Sequence, residues 1–190
     1  MALAWHPVNT PLADLMGTLA RSLWDAASLS TVLPDAGQLT PVHSAGWEID
    51  VFHDKADAVS GFSARFGLYY EPDDEDDPDL DDFPQHLPSP QWHVDHSATR
   101  QQFDVLFEAG RAAMAARLGE PEAAGMFDED DDWRYAVWRV GDRLIAVAQA
   151  EDFASHSLYT EASIRVVDFP ATSKVPTADE MYDILVNQVS

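Results

Sequence analysis

The stretch from Trp133 to Val167 constrains the fold more than any other part of the chain. It reads WRYAVWRV, then Gly141-Asp142, then RLIAVAQAEDF, then SLYTEASIRVV. Gly-Asp between two apolar runs is a hairpin signal, because Gly at the first central position supplies the positive φ that a type II′ turn requires. A two-residue loop pairs Val140 with Arg143, and period-two alternation sets the rest of the register. One face then carries Trp133, Tyr135 and Val137 opposite Ala150, Ala148 and Ala146. The other carries Trp138 opposite Ile145 and Ala136 opposite Val147. With the third run added, the segment is predicted to be a three-stranded antiparallel meander. The alanine row leaves a trough in which a helix sits close to the sheet, which assigns that face to the core. The second face, apolar at its centre and charged at its margin, is read as a smaller buried layer; the alternative is an exposed contact surface centred on Trp138.

The predicted occupant of the trough is a helix over about 98–118. Phe103, Leu106, Phe107, Gly110, Ala113, Met114 and Leu118 recur at helical spacing, Thr99 with Gln102 fits a capping box, and Gly119 with Pro121 stops the helix. Upstream, Thr10 reads as an N-cap with Pro11 at the first helical position, and Leu12, Leu15, Met16, Leu19 and Leu23 line one face up to about Ala27. Residues 28–45 read as a loop. GWEIDVFHD alternates as a half-buried strand, a second strand fits Gly61 to Tyr70, and QWHV at 91–94 is strand-like. Thr177 to Glu180 forms a capping box before a short helix bearing Met181, Ile184, Leu185 and Val189. The expected class is α+β in one domain over 1–190. An antiparallel sheet, the meander plus one or two N-terminal strands, is packed against two to three helices, with an acidic Pro/Asp-rich loop at 71–90.

Charge narrows the function classes. Thirty-four acidic residues face eleven basic ones, for a net charge of -23. That balance repels nucleic acid and anionic membranes and speeds encounter with basic partners. Cysteine is absent, which excludes disulfides, zinc-thiolate sites and thiol nucleophiles. No run reaches the roughly 18 apolar residues of a spanning helix, and MALAWHPVNT carries no basic leader, so a cytoplasmic protein is expected. His93-Val-Asp-His96 lacks a standard metal-ligand geometry. The Asp77, Asp79, Asp81 spacing lacks the glycine and bidentate glutamate of a calcium loop. No GxSxG elbow and no Gly-x-Gly phosphate loop occurs. The expectation is a non-catalytic protein with no cofactor and no metal.

What remains is the clustering of acid. Fourteen of the carboxylates fall in two runs, Glu71 to Asp82 and Asp128 to Asp132. The candidate partner-binding residues are Asp73, Asp74, Glu75, Asp76, Asp77, Asp79, Asp81 and Asp82 in the first. Asp128, Glu129, Asp130, Asp131 and Asp132 form the second, with Trp133 and Trp138 as apolar anchors. From Phe103 to Pro121 and Trp133 to Phe153 the chain runs helix, LGEP, acidic run, Trp-led strand, hairpin. In that order, and in size and charge, it resembles immunity proteins of bacterial toxin systems. The resemblance implies neutralisation of a basic toxin by direct binding, without chemistry. Two alternatives stand beside it. The element order and acidity are also similar to type III secretion chaperones, from which the long Asp/Pro loop departs. A DNA mimic, whose carboxylates replace phosphates, calls for regularly spaced acids, whereas these cluster in loops. No oligomeric state follows from the residues.

Overall fold

Val59–Tyr70 is a twelve-residue strand, long enough for one of its edges to be shared by two different partners. It organises a computed structural model that describes residues 1–34, 41–72, 83, 91–128, 133–152 and 158–187. Among these the elements run β1 (Ala2–Trp5), α1 (Thr10–Arg21), α2 (Ala26–Val32), β2 (Val42–Ser44), β3 (Trp47–His53) and β4 (Val59–Tyr70). They continue with β5 (His93–Asp95), α3 (Arg100–Leu118), β6 (Ala123–Asp128), β7 (Trp133–Val140), β8 (Arg143–Glu151), β9 (Thr160–Asp168) and α4 (Ala178–Asn187). All pairings are antiparallel, and the main order is β2-β3-β4-β9-β8-β7-β6. The first half of β4 pairs with β3 and the second half with β1, which carries β5 on its far side.

The meander forms as expected. Val140 pairs with Arg143, Trp138 with Ile145 and Ala136 with Val147, and Gly141 turns the chain at φ 62°. The sheet is larger than a meander with one or two added strands: nine strands are described. Three of them, β1, β2 and β6, are either three to four residues long or, in AAGMFD, without alternation, so periodicity has nothing to register, while β5 overlaps the strand-like QWHV.

The helix expected in the alanine trough lies on the other face. The trough of Tyr135, Val137, Ala146 and Ala148 is filled by Met181 and Leu185 of α4. The front face, with Trp138, Ile145, Val147, Phe62, Phe66 and Ile164, is the main core and receives α1 and α3. The alanine trough is narrow and suits the single stripe of a ten-residue helix. The nineteen-residue α3 presents Phe103, Phe107 and Met114 to the wider front face. Gly110 lets it lie close, since a Cβ there would stand 2.8 Å from Phe66 Cζ and 3.3 Å from Val147 Cγ1. Trp138 then fastens the end of α3 by donating its indole N–H to the Gly119 carbonyl at 2.8 Å.

Helix ends follow local hydrogen bonding. Asn9, rather than Thr10, is the N-cap of α1, its side-chain oxygen accepting from the Leu12 N–H at 3.0 Å. The helix stops at Arg21, leaving Leu23 72% exposed instead of on the apolar stripe. The Trp24 indole N–H bonds back to the Leu19 carbonyl at 2.9 Å. A further helix, α2, occupies part of the expected loop because Asp25 caps it through the Ser28 N–H at 2.9 Å. Both expected capping boxes are present, at Thr99 with Gln102 and at Thr177 with Glu180.

The tight seat of Gly110 gives a test. Gly110→Val is expected to lower stability by about 1–3 kcal/mol through overpacking. The check is urea unfolding of the variant; an unchanged midpoint would mean that α3 does not lie on Phe66 and Val147.

Candidate functional site

The register brings the attachment points of the two acidic runs to one end of the sheet. β4 ends at Tyr70 and continues into Glu71 and Pro72. Opposite Tyr69 stands Thr160, the start of β9, and opposite Thr160 stands Glu151, the end of β8. Tyr135, near the start of β7, lies opposite Ala148, and Asp128 closes β6 opposite Trp133. The first run therefore leaves the sheet, and the second leaves and rejoins it, at the same rim. From β4 to β7 is three strand spacings, about 15 Å. Phe83, just beyond the first run, is fully buried at this end, stacked on Tyr70 at 6.3 Å and edge-on to Tyr159 at 5.1 Å. The run is thus tethered at both ends, by Tyr70 to Pro72 and by Phe83. Asp73, Asp74, Glu75, Asp76, Asp77, Asp79, Asp81 and Asp82, and likewise Glu129, Asp130, Asp131 and Asp132, lie outside the described residues; Asp128 is described as the last position of β6.

The two tryptophans offered as anchors are internal. Trp138 is 2% exposed in the front core, and Trp133 is 5% exposed and stacks on Tyr182 at 6.2 Å. Their burial removes them as contact residues in the folded chain. The alternative of an exposed surface centred on Trp138 falls with it, because α1 and α3 cover that face.

Positive charge is largely neutralised within the chain. Eight of the nine arginines are ion-paired with carboxylates, and the ninth, Arg21, donates to the Gly17 carbonyl at 2.8 Å. Only Lys55 and Lys174 are lysines, so little cationic surface offsets the acids.

The most concentrated of these pairings lies on the back face, between the α4 trough and the Phe83 cluster. Arg165 donates to Glu161 Oε1 at 2.7 Å and to the Leu185 carbonyl at 2.6 Å, tying β9 to the last turn of α4. Arg65 bonds Asp152 at 3.2 Å and approaches Glu161 at 3.9 Å, while the Ser163 hydroxyl donates to Glu161 at 2.9 Å. Burial pushes the Glu161 carboxyl up, but Arg165 and Arg65 outweigh it and hold the group below its ordinary value. Burial pushes Asp50, on the adjoining strand, up to about 6, against the pull of Arg65. Strand β9 advertised this cluster, since Glu161, Ser163 and Arg165 alternate with Ala162, Ile164 and Val166, and on β4 Ser63 and Arg65 alternate with Phe62, Ala64 and Phe66; Asp152, after β8, carries no spacing signal.

Geometry also limits what this region can do chemically. The cleft beside it, lined by His6, His43, Trp47, Glu48, Asp50 and Arg65, has a volume of about 20 Å³, room for one water. A larger groove of about 430 Å³, lined by Trp24, Leu29, Leu33 and Val59, holds only His53 and Asp57 as titratable groups. Among the described residues no three His, Asp or Glu side chains gather as a metal site would require. His93 sits on β5 against Trp5, and Asp95 accepts from the Ser97 N–H at 2.8 Å. No described helix is long and apolar enough to cross a membrane. Comparison with protein-family models, with curated proteins and with solved structures finds no match to this chain.

The ion cluster makes opposite pH demands on stability. Glu161, depressed below 4.5, contributes stability that is complete above that pH and lost as pH falls through its folded value. Asp50, raised from 3.8 to about 6, favours the folded state when protonated and withdraws that contribution as pH climbs between those values. Asp50→Asn is therefore expected to abolish a loss of up to about 3 kcal/mol between pH 4 and 6. Glu161→Ala is expected to cost about 3–5 kcal/mol at pH 7 by stranding Arg165. Urea unfolding as a function of pH measures both, and parallel curves for wild type and Asp50→Asn would refute the first.

Proposed function

We propose that this chain is a non-catalytic binding protein that sets the acidic rim of its sheet against a basic protein, and that this partner is a bacterial toxin it neutralises. The observation that carries the reading is the shared end of the sheet at which both acidic runs are attached. Fourteen carboxylates belong to those runs. The internal use of the arginines supports it further, because a partner meets carboxylates with little competing positive charge. Charge gathered in this way steers diffusion and raises the association rate more than it deepens the bound well. At about 10 mM salt the Debye length is roughly 30 Å, so two runs attached to strands about 15 Å apart are expected to act as a single field; at about 150 mM it is roughly 8 Å and they are expected to act separately. The toxin as partner rests on the resemblance carried by Phe103 to Pro121 and Trp133 to Phe153. With the tryptophans internal, the contact residues of the proposal are the carboxylates of the two runs.

The test begins with a partner captured from the native host and identified by its gene. Its expression alone is expected to arrest growth, and co-expression of this chain to restore it. Changing Asp128, Asp130, Asp131 and Asp132 to Asn and Glu129 to Gln is expected to slow association at least about tenfold at low salt, with little change at high salt. Stopped-flow mixing reads the rate. Equal rates for wild type and variant at low salt would contradict a docking rim.

A further inference from the structure

We infer that Asp50 and His6 hold one proton between them across the cleft they both line, and that this proton fastens the β2–β3 hairpin to the exit of β1. His6 directly follows β1, and its amide donates to the Phe66 carbonyl at 3.0 Å. Its ring meets Trp47 edge-on, with centroids 3.9 Å apart. The ring Nε2 lies 2.9 Å from Gln91 Oε1, an oxygen that can only accept. The proton of the neutral imidazole therefore sits on Nε2, and Nδ1 presents a lone pair. Nδ1 is buried and has no hydrogen-bond partner. A buried acceptor left in that state costs free energy, which a donor across the cleft recovers.

Asp50 is the donor the geometry offers. The cleft has a volume of about 20 Å³, so a link between the two side chains is direct or runs through a single water. Among the described residues Asp50 makes no hydrogen bond or ion pair. The charged groups that face it are engaged elsewhere or carry its own sign. Arg65 on β4 is bonded to Asp152 and close to Glu161, and Arg165 on β9 is bonded to Glu161 and the Leu185 carbonyl. Glu48, on the same strand as Asp50, adds like charge, and the exposed His43 stands opposite Glu48 in the β2–β3 ladder. Burial is the largest influence on the Asp50 carboxyl and favours its protonated form.

While the pair holds one proton, carboxyl and imidazole are donor and acceptor to each other, whichever of them carries it. When the proton leaves, a carboxylate faces a lone pair across a cleft too small to hydrate both. The link from β3 to His6, and through Nε2 to Gln91, is then lost. The joint is tight at low pH and loosens as pH rises, the sign required of a carboxyl that protonates more readily in the folded chain.

The test is NMR of the full-length chain, following the Asp50 carboxyl carbon and the His6 ring nitrogens from about pH 8 down to about pH 4. The Asp50 and Nδ1 signals are expected to move together through one step as the first proton binds. His6→Phe keeps a ring against Trp47 and removes both nitrogens. It is expected to weaken proton binding at Asp50 at least about threefold, whereas the loss of a polar neighbour acting by desolvation alone would strengthen it. Asp50→Asn supplies an amide donor to Nδ1 at every pH. Between about pH 5 and 7 the wild type is therefore expected to lose protection of the His6 amide against hydrogen exchange at least about tenfold more than Asp50→Asn does. Steps at different pH in the wild type, or tighter proton binding in His6→Phe, would overturn the shared proton. Equal loss of protection in wild type and Asp50→Asn would overturn the fastening.

Discussion

The register of β4, β9, β8 and β7 is the constraint from which the remaining features follow. Once Val140 faces Arg143 across Gly141, every side chain from Trp133 to Glu151 is committed to one face or the other. The pairing of β9 with both β8 and β4 extends that commitment across the sheet. A shift of one residue would exchange the front core for the back face, at a cost that burial of Phe62, Phe66, Trp138 and Ile164 makes prohibitive. The same register decides which end of each strand lies where. It thereby gathers the exits of β4, β6 and β8 with the entries of β7 and β9, and with them the points at which both acidic runs attach.

Electrostatics divides the molecule into an inside that is balanced and an outside that is not. On the back face Arg65 and Arg165 are matched by Asp152 and Glu161, and the two arginines connect β4, β9, the residue after β8 and α4. A buried arrangement of this kind adds little net stability over apolar packing, yet its geometry is exacting, which suits it to holding α4 in one place. Asp50 is the least comfortable member, a partly buried carboxyl that burial pushes up against the pull of Arg65. Elsewhere every arginine but Arg21 is committed to a nearby carboxylate, so the surplus of negative charge is left to solvent and to partners.

Much of this was legible in the residues, and the exceptions have physical causes. The Gly-Asp hairpin, the two capping boxes and the stripe of α3 are local patterns, and local hydrogen bonding and periodicity reproduced them. Which helix lies on which face is a question of width, decided by Gly110 against Phe66 and by Met181 and Leu185 in the alanine trough; neither is written in a single segment. The short strands β1 and β2 exist because a longer neighbour, β4 or β3, offers them an edge, a tertiary cause that no three- or four-residue pattern can carry. The clustering of carboxylates was visible at once, whereas the convergence of the runs' attachment points on one end of the sheet emerged only from strand direction. Reading Trp133 and Trp138 as anchors failed for the same reason: an aromatic beside an acidic run looks alike in sequence whether a helix covers it or not.

The central claim, that negative potential is gathered at one end of the sheet, can be measured on the free chain by amide relaxation in the presence of cationic and anionic nitroxide cosolutes of equal size. The account predicts the most negative potentials at the amides of Glu71, Met126, Glu151 and Thr160, with clearly weaker values around Gly141 and Asp168 at the other end. Equal potentials at the two ends would contradict it.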